Sequence, residues 1–338
     1  MKLEIIGDDL DYEGLVASSR TSIVKSSSVF PCESKHTSYF IEKVRKGLYD
    51  ILKLSTDPDH TSDLKNEFTG RALILNIPFS KTHSHIFIDV LPKLLHLYES
   101  NEYDQIYVPH SEILVELMEL IKIDMSDKVT FVKGKTAIFA STIILEEHPR
   151  YYIRDGLKTM HLKEKIDEFL RTIEPENKNT LIYCSRNSKD AKYGRNPDEK
   201  NEKEIVDLLR NFVQNNTYYE LVIYNGTING TTMSFKEQIK LFNSAKIIVG
   251  PHGGAFANTI FIDPNNNCSI CEFTDGPKSI IHGNRPFIKS YNFLYGGIFK
   301  HFAHYYLIPY DEKSTRKIVS IDIKHLEVFL TKIPRGEK

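Results

Sequence analysis

The chain has 338 residues, of which 41% are hydrophobic and 26% are charged, and its 44 Lys and Arg residues nearly balance its 45 Asp and Glu residues. This is the composition of an ordinary globular protein, so it excludes a disordered chain, and the lack of a basic excess argues against a dedicated nucleic-acid binder. The length corresponds to about two domains of roughly 150 residues each.

The N-terminus and the hydropathy of the chain bear on its location. The first residues turn acidic within eight positions and lack the apolar core of a signal peptide. No window approaches the roughly 18–20 uncharged apolar residues that a membrane-spanning helix needs. The 4 cysteines, Cys32, Cys184, Cys268 and Cys271, are too few and too scattered for a disulfide framework. We therefore expect a cytoplasmic protein without a transmembrane segment, for which peripheral association with a membrane stays open.

Short β-rich runs and turns fill the first part of the chain, and strands then alternate with helices. A charged, Pro-containing linker at 174–179 predicts a domain boundary. The predicted elements are, in chain order, strands 21–30, 37–44 and 71–79, helix 84–100, strand 104–110, helix 111–123, extended segments 128–134 and 137–147, helix 151–173, strand 179–186, helix 202–213, strand 218–226, helix 234–245, strand 246–250, helix 255–262, strand 268–273 and a helix at the end of 318–333. This alternation indicates βαβ units and parallel sheets, whose ligands bind at the carboxyl ends of the strands.

The most distinctive local feature is a glycine-rich turn between a predicted strand and the next helix, Gly250-Pro251-His252-Gly253-Gly254. Glycine lets the backbone turn sharply and approach a ligand, and the new helix presents unpaired N–H groups and the positive end of its dipole. Such a turn can bind a phosphate group, with His252 as an additional donor. A tight turn that binds nothing fits the same spacing, so the residues alone leave both interpretations open.

A second candidate anion site follows the predicted strand that ends at Arg186. Ser185 and Arg186 reach the same edge of the sheet as the glycine turn, and the loop after them carries Lys189, Lys192 and Arg195 before a helix begins. Several cations beside a helix N-terminus suit a diphosphate. A solvated charged loop explains the lysines better, whereas the position at the strand end favours Arg186 as a ligand.

Two carboxylates occupy positions that suit chemistry. Glu272 ends an apolar strand, where a carboxylate can accept hydrogen bonds from ribose hydroxyls, although a surface residue at the end of an element has the same pattern. His85 and Asp89 are four residues apart on one face of a predicted helix, so Asp89 is a candidate general base that His85 tunes or assists. An acid paired with a surface histidine is the alternative. No His or Cys cluster has the spacing of a metal site.

Together these segments resemble glycosyltransferase family 61. The run 234–261 resembles the family's Ser-x-x-Glu-Gln helix, the strand after it, the Gly-Pro-His-Gly turn and the asparagine that follows, here Asn258. The run 84–94 resembles the Gly-His-Trp-x-x-Asp-x-Leu-Pro element of the family. The run 184–205 resembles its Ser-Arg…Arg…Asn-Glu element, with matches at Ser185, Arg186, Arg195, Asn201 and Glu202.

The resemblance implies a GT-B-type α/β fold, in which two Rossmann-like domains with parallel sheets face one another. We accordingly expect residues 1–172 to form an acceptor-side domain with a β-rich start and residues 178–310 to form the domain that binds the nucleotide sugar. The segment 311–338 is interpreted as a C-terminal segment that returns to the first domain.

The resemblance also implies roles for single residues. The sequence departs from the family at Ser84 and Ile86, where Gly and Trp are usual, and at Gly254-Ala255-Phe256, where Ala-Gly-Leu is common, so acceptor packing and the helix start differ. The implied catalytic residues are Asp89, as the base, and its rival His85; the diphosphate ligands are Ser185, Arg186, Arg195, Gly250, His252, Gly253 and Gly254; and the ligands of the ribose or base are Gln238, Asn258 and Glu272.

The implied reaction is inverting, metal-independent transfer of a sugar from a nucleotide-sugar donor, with no cofactor. UDP is the expected nucleotide and xylose the leading sugar, since several members of the family transfer pentoses, and a hexose stays open. The acceptor is expected to be a hydroxyl of a glycan or glycoprotein. The alternatives are a sugar-nucleotide-binding or glycan-binding protein without turnover and an NAD-dependent oxidoreductase, which the lack of a GxGxxG motif disfavours.

Overall fold

The protein is a mixed α/β structure with parallel sheets. The computed structural model describes residues 2–6, 15–17, 67–75, 83–132, 136–146, 156–173, 179–186, 196–228, 231–274, 295, 297–315 and 318–334. The chain divides into two compact units, Met1–Ile153 and Arg154–Lys338. This division falls ahead of the linker predicted at 174–179, because the long helix before that linker packs with elements of the second unit.

The first unit contains a parallel sheet. Its described strands are β1 (Lys2–Ile6), β2 (Leu15–Ala17), β3 (Glu67–Leu75), β4 (Gln105–Pro109), β5 (Val129–Val132) and β6 (Thr136–Glu146). They lie in the order β1-β6-β3-β4-β5, and β2 pairs with β6 as well. Each of these pairs is parallel. The strands predicted near β3, β4, β5 and β6 are confirmed, and the predicted runs 21–30 and 37–44 lie outside the described residues.

The helices of the first unit are α1 (Leu91–Ser100) and α2 (Glu112–Leu120). A helical turn at His83–His85 and a π-helical turn at Ile86–Val90 precede α1, and the Leu91 N–H donates to the carbonyl of Ile86, five residues back. Pro92, at the start of α1, has no N–H to offer the preceding turn, which favours such a change of winding. The core of this unit includes the fully buried side chains of Leu73, Ile86, Phe87, Leu91, Leu94, Ile106, Val108, Leu114 and Leu117.

A parallel sheet of five strands forms the centre of the second unit as far as the structure describes it. Its strands are β7 (Thr180–Cys184), β9 (Glu220–Tyr224), β12 (Ala245–Pro251), β13 (Cys268–Thr274) and β14 (Ala303–Pro309), and the short strands β8 (Asn196–Pro197), β10 (Thr227–Ile228), β11 (Thr231–Thr232) and β15 (Ile318–Val319) lie outside this sheet. The order is β14-β13-β12-β7-β9. Numbered along the chain this is the 2-1-3-4-5 arrangement of doubly wound nucleotide-binding folds.

Both faces of the sheet are buried at its central strands β7, β12 and β13. Leu181, Val249 and Phe273 belong to one apolar cluster. Their neighbours Ile182 and Ile248 are also buried, and successive residues of a strand point to opposite faces. The described helices of the unit are α3 (Gly156–Leu170), α4 (Glu199–Asn215), α5 (Phe235–Asn243), the 3₁₀ helix Gly254–Phe261, two short 3₁₀ turns at Pro264–Asn266 and Ile298–His301, and α6 (Ile323–Thr331).

The C-terminal segment packs against the second unit itself. Strand β15 pairs with β8 in parallel. The side-chain amide of Asn201 holds the backbone of Ile321 on both sides, donating to its carbonyl at 3.0 Å and accepting from its N–H at 2.9 Å. Leu326 and Phe329 of α6 then enter the apolar cluster that also contains Ile205 and Leu209 of α4. The described part of 311–338 is anchored on the second unit, and its return to the first domain stays a prediction.

Helix α3 is fixed to the end of the 3₁₀ helix by a buried lysine. The ammonium of Lys163, which is 1% exposed, donates to the carbonyl of Ile262 at 2.8 Å and pairs with Asp167. It also lies over the ring of Phe302. Burial lowers the pKa of Lys163, and the Asp167 carboxylate opposes that shift. A cation at the C-terminal end of the 3₁₀ helix satisfies a carbonyl there and so supports the helix that follows the glycine turn.

Candidate functional site

The carboxyl ends of β7 and β12 meet at one point of the second sheet. The two strands are direct neighbours, with Val249 paired with Tyr183. From β7 the chain continues to β9 on one side, whereas β12 leads to β13 and β14 on the other side, so the strand order changes direction between them. In open parallel sheets such a switch point leaves a crevice in which ligands bind. The segments that follow these two strands are the ones for which the sequence predicts an anion site.

Gly250 brings the two strands into close contact. Its φ of +154° is rarely adopted by residues with a side chain, and a Cβ atom there would lie 2.6 Å from the carbonyl oxygen of Cys184. After Pro251 the chain leaves the sheet, and the His252 N–H donates to the carbonyl of Phe273 at 2.7 Å. Position 250 therefore requires glycine, and the turn that follows is held between β7 and β13.

Arg186 leaves the end of β7 and crosses to the glycine turn. Its Nη1 donates to the carbonyl of His252 at 2.5 Å, and its side chain packs against Gly253, where a Cβ atom would lie 2.9 Å from Nη1. Gly254 begins the 3₁₀ helix, and the space around its Cβ position is open. A guanidinium next to a helix start combines two features that favour an anion. The structure thus brings together Arg186, His252 and the three glycines, which the sequence predicts as diphosphate ligands.

Ser185 points its hydroxyl to an acid on α4. The Ser185 Oγ donates to Glu202 Oε1 at 2.6 Å, and the hydroxyl of Tyr183 reaches the same oxygen at 3.3 Å. Glu202 is buried in the first turn of α4, where the helix dipole favours a negative charge. Burial and the Glu202 carboxylate together hold the pKa of Tyr183 well above its usual value. The Ser-Arg…Asn-Glu element therefore connects β7 to α4 through the hydrogen bond between Ser185 and Glu202. The contact predicted between Ser185 and the diphosphate of the nucleotide sugar stays a prediction.

Glu272 lies on β13 beside the turn, and both of its carboxylate oxygens have partners. His252 Nδ1 is 2.5 Å from Oε1, and the hydroxyl of Tyr305 on β14 donates to Oε2. Glu272 is 0% exposed, whereas the His252 side chain is 12% exposed and so keeps an edge toward solvent. The ribose contact predicted for Glu272 stays a prediction. The hydrogen bonds of Glu272 also suit a second role, in which it orients the His252 ring.

Tyr305 was not among the residues that the sequence predicts for the site. The run Ala303–Pro309 is rich in aromatic and branched residues, which is the pattern of a strand, and it forms β14 at the edge of the sheet. Reading this run as a further strand after β13 would have placed its residues next to Glu272. The hydroxyl contact itself follows only from the register, in which Leu307 pairs with Glu272 and Tyr305 shares the face of Leu307.

Asn258 and Gln238 form a buried hydrogen-bonded cluster with Tyr224. The Tyr224 hydroxyl donates to Gln238 Oε1 at 2.6 Å, and Asn258 Nδ2 lies 3.2 Å from that hydroxyl and 3.3 Å from Gln238 Oε1. Asn258 is fully buried. Burial raises the pKa of Tyr224, which therefore stays a neutral donor. The cluster joins the end of β9, α5 and the 3₁₀ helix, and the nucleotide contacts predicted for Asn258 and Gln238 stay predictions.

The Ser-x-x-Glu part of the same motif caps α5. Ser234 Oγ accepts from the N–H of Glu237, and the Glu237 carboxylate accepts from the N–H and the hydroxyl of Ser234, both at 2.7 Å. These hydrogen bonds from Ser234 lower the pKa of Glu237. The motif thus begins the helix and places Gln238 on the turn that faces Tyr224.

The two predicted catalytic residues lie in the first unit. His85 is half-buried and ends the helical turn before the π-helical turn, in which Asp89 lies. The four-residue spacing that predicts a shared face assumes α-helical winding, and Ile86–Val90 is wound as a π-helix instead. The Asp89 side chain lies outside the described side chains, and Arg195 lies outside the described residues. The assignment of the base therefore stays a prediction.

The buried cysteines of the second sheet are structural. Cys184, Cys268 and Cys271 are free and buried. Burial raises the pKa of each thiol, and the Glu272 carboxylate adds to the shift for Cys184 and Cys271. A thiol held protonated in this way is a poor nucleophile and a poor metal ligand. Cys268 and Cys271, which are spaced as Cys-x-x-Cys, therefore belong to the core of the sheet.

The described ranges bear on two further features, a metal site and a membrane-spanning helix. They contain no group of three or more His, Cys, Asp or Glu residues placed to hold a metal ion. No helix within them combines the length and the apolar character that crossing a membrane requires. Metal independence of the reaction and a cytoplasmic location both stay predictions.

Most residues of the candidate site lie within a match between the chain and a known protein family. The family model described as Glycosyltransferase 61 matches residues 84–271, which is more than half of the chain. The match begins just before the π-helical turn of the first unit and ends in β13, so it includes the glycine turn and Arg186. No curated protein matches the chain.

Proposed function

The chain belongs to glycosyltransferase family 61, and we propose that it transfers a sugar from a UDP-sugar donor to a hydroxyl of a glycan or glycoprotein, with inversion and without a metal ion. We also propose that its two units form a GT-B arrangement, in which the second unit binds the nucleotide and the first unit binds the acceptor. A glycosyltransferase needs both a sugar donor and an acceptor, and the contacts around Arg186 support a donor site in the second unit.

The observation that carries the proposal is the contact between Arg186 and the turn at His252 and Gly253. It lies at the switch point of a 2-1-3-4-5 sheet, which is where such folds bind nucleotides. A diphosphate there would face a guanidinium, an imidazole and the start of the 3₁₀ helix. These groups are fixed by Gly250, Glu272 and Lys163, so little reorganisation would accompany binding.

The proposed reaction is a single displacement at the anomeric carbon. The acceptor oxygen forms the new bond on the face opposite the nucleotide while the bond between the sugar and the diphosphate breaks, and Asp89 takes the acceptor proton. The leaving diphosphate keeps the electron pair and gains negative charge, which Arg186 and the helix start would meet. Each preorganised donor of this kind contributes about 3 kcal/mol of transition-state stabilisation.

A donor screen tests the proposal. Thermal unfolding is followed with UDP-, GDP- and CMP-sugars and with NAD(P), and we expect UDP-sugars to raise the midpoint because they bind only the folded state. UDP-xylose is compared with UDP-hexoses, and a donor that binds is then incubated with a glycan array to detect transfer. Stabilisation by NAD(P) alone would contradict the proposal, and donor binding without hydrolysis or transfer would indicate a binding protein without turnover.

A further inference from the structure

Three side chains from neighbouring strands form a line that ends at the glycine turn. Tyr305 of β14 donates to Glu272 of β13, and Glu272 Oε1 lies 2.5 Å from Nδ1 of His252, the first residue after β12. In the register of the sheet Glu272 pairs with Gly250, the residue that requires a glycine. The carboxylate is therefore placed one strand away from the switch point, with its charge directed at the imidazole.

Burial of a carboxyl group is costly unless hydrogen bonds compensate for the lost water. Glu272 is 0% exposed, and a charge removed from water is tolerated when good partners surround it. Its two oxygens contact an imidazole and a phenol. An apolar residue would pack into a sheet interior more favourably than such a charge. The arrangement therefore serves the histidine rather than the stability of the sheet.

A carboxylate that accepts a hydrogen bond from one nitrogen of an imidazole fixes the orientation of the ring and so the direction in which the other nitrogen points. Hydrogen bonding of Glu272 to Nδ1 places a proton on Nδ1 and fixes the plane of the ring, as carboxylates do for catalytic and metal-binding histidines. A ligand would then meet the imidazole through Nε2. The ring is 12% exposed and its backbone carbonyl is held by Arg186, so both the side chain and the main chain of His252 are fixed beside the turn.

We propose that Glu272 is a positioning residue for His252 rather than a ribose ligand. Together with Tyr305 it holds a proton on Nδ1, so that Nε2 faces a diphosphate at the glycine turn and donates to it in the imidazolium form, whose charge the Glu272 carboxylate offsets. This inference rests on the proposed function for the identity of the ligand. It assigns to Glu272 and Tyr305 a role in diphosphate binding that does not involve the nucleoside.

The first test needs no ligand. The protein is labelled with ¹⁵N-histidine, and the signals of His252 are identified by their loss in the His252→Asn variant. We expect neutral His252 to carry its proton on Nδ1, the opposite of the form that prevails for free imidazole side chains in water, and Glu272→Gln to shift the balance toward the other form. Native His252 without a proton on Nδ1 would overturn the proposal.

The second test separates a positioning role from a ribose contact. The affinities of UDP and of inorganic pyrophosphate are measured by calorimetry for the native protein, Glu272→Gln and Tyr305→Phe. We expect Glu272→Gln to weaken both probes by the same factor, about tenfold, and Tyr305→Phe to weaken both by a smaller factor, since the carboxylate remains. Weaker binding of UDP with unchanged binding of pyrophosphate would identify a ribose ligand and overturn the proposal, as would unchanged binding of both.

Control measurements distinguish the role proposed for Glu272 from the proposed function of the protein. Glu204→Gln removes an exposed carboxylate of α4 and should change neither affinity. Circular dichroism of each variant shows whether the fold is retained, and Tyr305→Phe provides a milder change if Glu272→Gln unfolds. A native protein that binds neither UDP nor pyrophosphate would contradict the proposed function, whereas the tautomer measured without ligand would still decide whether Glu272 controls His252.

Discussion

Gly250 and Cys184 lie on neighbouring strands, and their backbones approach so closely that a Cβ atom at 250 would be 2.6 Å from the Cys184 carbonyl oxygen. Real Cβ atoms do not come so near, and the oxygen belongs to the backbone of β7, which cannot move aside without disturbing the sheet. The φ of +154° adds a second restriction. The position of the glycine turn is therefore fixed by a contact inside the sheet.

Gly250→Ala should destabilise the protein by about 3 kcal/mol, because it combines a steric clash with a strained backbone. Urea unfolding measures the change. Gly254→Ala is the matched control, since its Cβ position is open, and it should change the free energy of unfolding by less than about 1 kcal/mol. Equal losses in the two variants would contradict the role assigned to Gly250.

Arg186→Ala should weaken binding of UDP by roughly 10- to 100-fold, because a charged hydrogen-bond donor is lost beside the diphosphate. Arg186→Lys should recover little, since an ammonium cannot hold the His252 carbonyl and an anion in the same planar geometry. Calorimetric titration with UDP measures both. Arg210→Ala, which removes an exposed arginine of α4, serves as the control and should leave the affinity unchanged. An Arg186→Ala protein with native affinity would place the diphosphate elsewhere.

Asp89→Asn should lower the rate of sugar transfer by about 10²- to 10⁴-fold while leaving UDP affinity nearly unchanged, because an amide cannot accept the proton of the acceptor. Transfer rates and UDP affinity are measured separately. His85→Gln tests the rival base, and His96→Gln removes an exposed histidine of α1 as its control. If His85→Gln abolishes transfer and Asp89→Asn does not, His85 is the base.

Asn258→Ala should destabilise the protein by about 2 kcal/mol, because it leaves the buried Tyr224 hydroxyl and Gln238 amide short of a partner. The Tyr224→Phe and Gln238→Leu variants and their double mutant, studied by urea unfolding, should show a coupling energy of about 1 kcal/mol. Additive effects of Tyr224→Phe and Gln238→Leu would mean that the cluster does not act as a unit.

Glu237 should make the stability of the protein depend on acid pH. Its pKa in the folded protein lies below the 4.5 of the free side chain because Ser234 donates to the carboxylate. The folded state therefore binds this proton less readily than the unfolded state, so the stabilisation is complete above the unfolded pKa and is lost as the pH falls through the folded one.

Unfolding in urea at about pH 6 and about pH 3.5 tests this, with Glu237→Gln as the variant. The difference in stability between the native protein and Glu237→Gln should shrink at the lower pH. Glu204→Gln, at an exposed site of α4, should show no comparable change. A difference between native and Glu237→Gln that is constant with pH would contradict the capping role of the carboxylate.

Much of the second unit follows from local patterns in the sequence. Strands such as β7 and β12 are apolar runs that end in turn residues, and their alternation with amphipathic helices predicts a parallel sheet. Gly250 and Arg186 each stand at the end of such a run, so their chemistry could be recognised from composition and spacing. The start of helix α5 can likewise be predicted from Ser234 and Glu237, because a serine followed three residues later by a glutamate forms a capping box.

The hydrogen-bond partners that the sequence did not predict are those that are distant in the chain. Glu272 at a strand end looks exposed in the sequence, and only the pairing of β13 with β12 and β14 buries it between His252 and Tyr305. Asn258 likewise reaches Tyr224 through the packing of the 3₁₀ helix with α5. Neither hydrogen bonds across 20 or more residues nor burial can be derived from a local window.

The sequence by itself determined the α/β alternation, the family and the glycine turn, because each depends on residues that are adjacent in the chain. The tertiary structure decided the strand order that makes β7 and β12 neighbours, the limit of the second unit at Arg154 and the partners of the buried polar side chains. The physical reason is that backbone propensity and amphipathic periodicity act over a few residues. Strand register and the pairing of buried charges are properties of the assembled sheet, in which chain separation no longer measures distance.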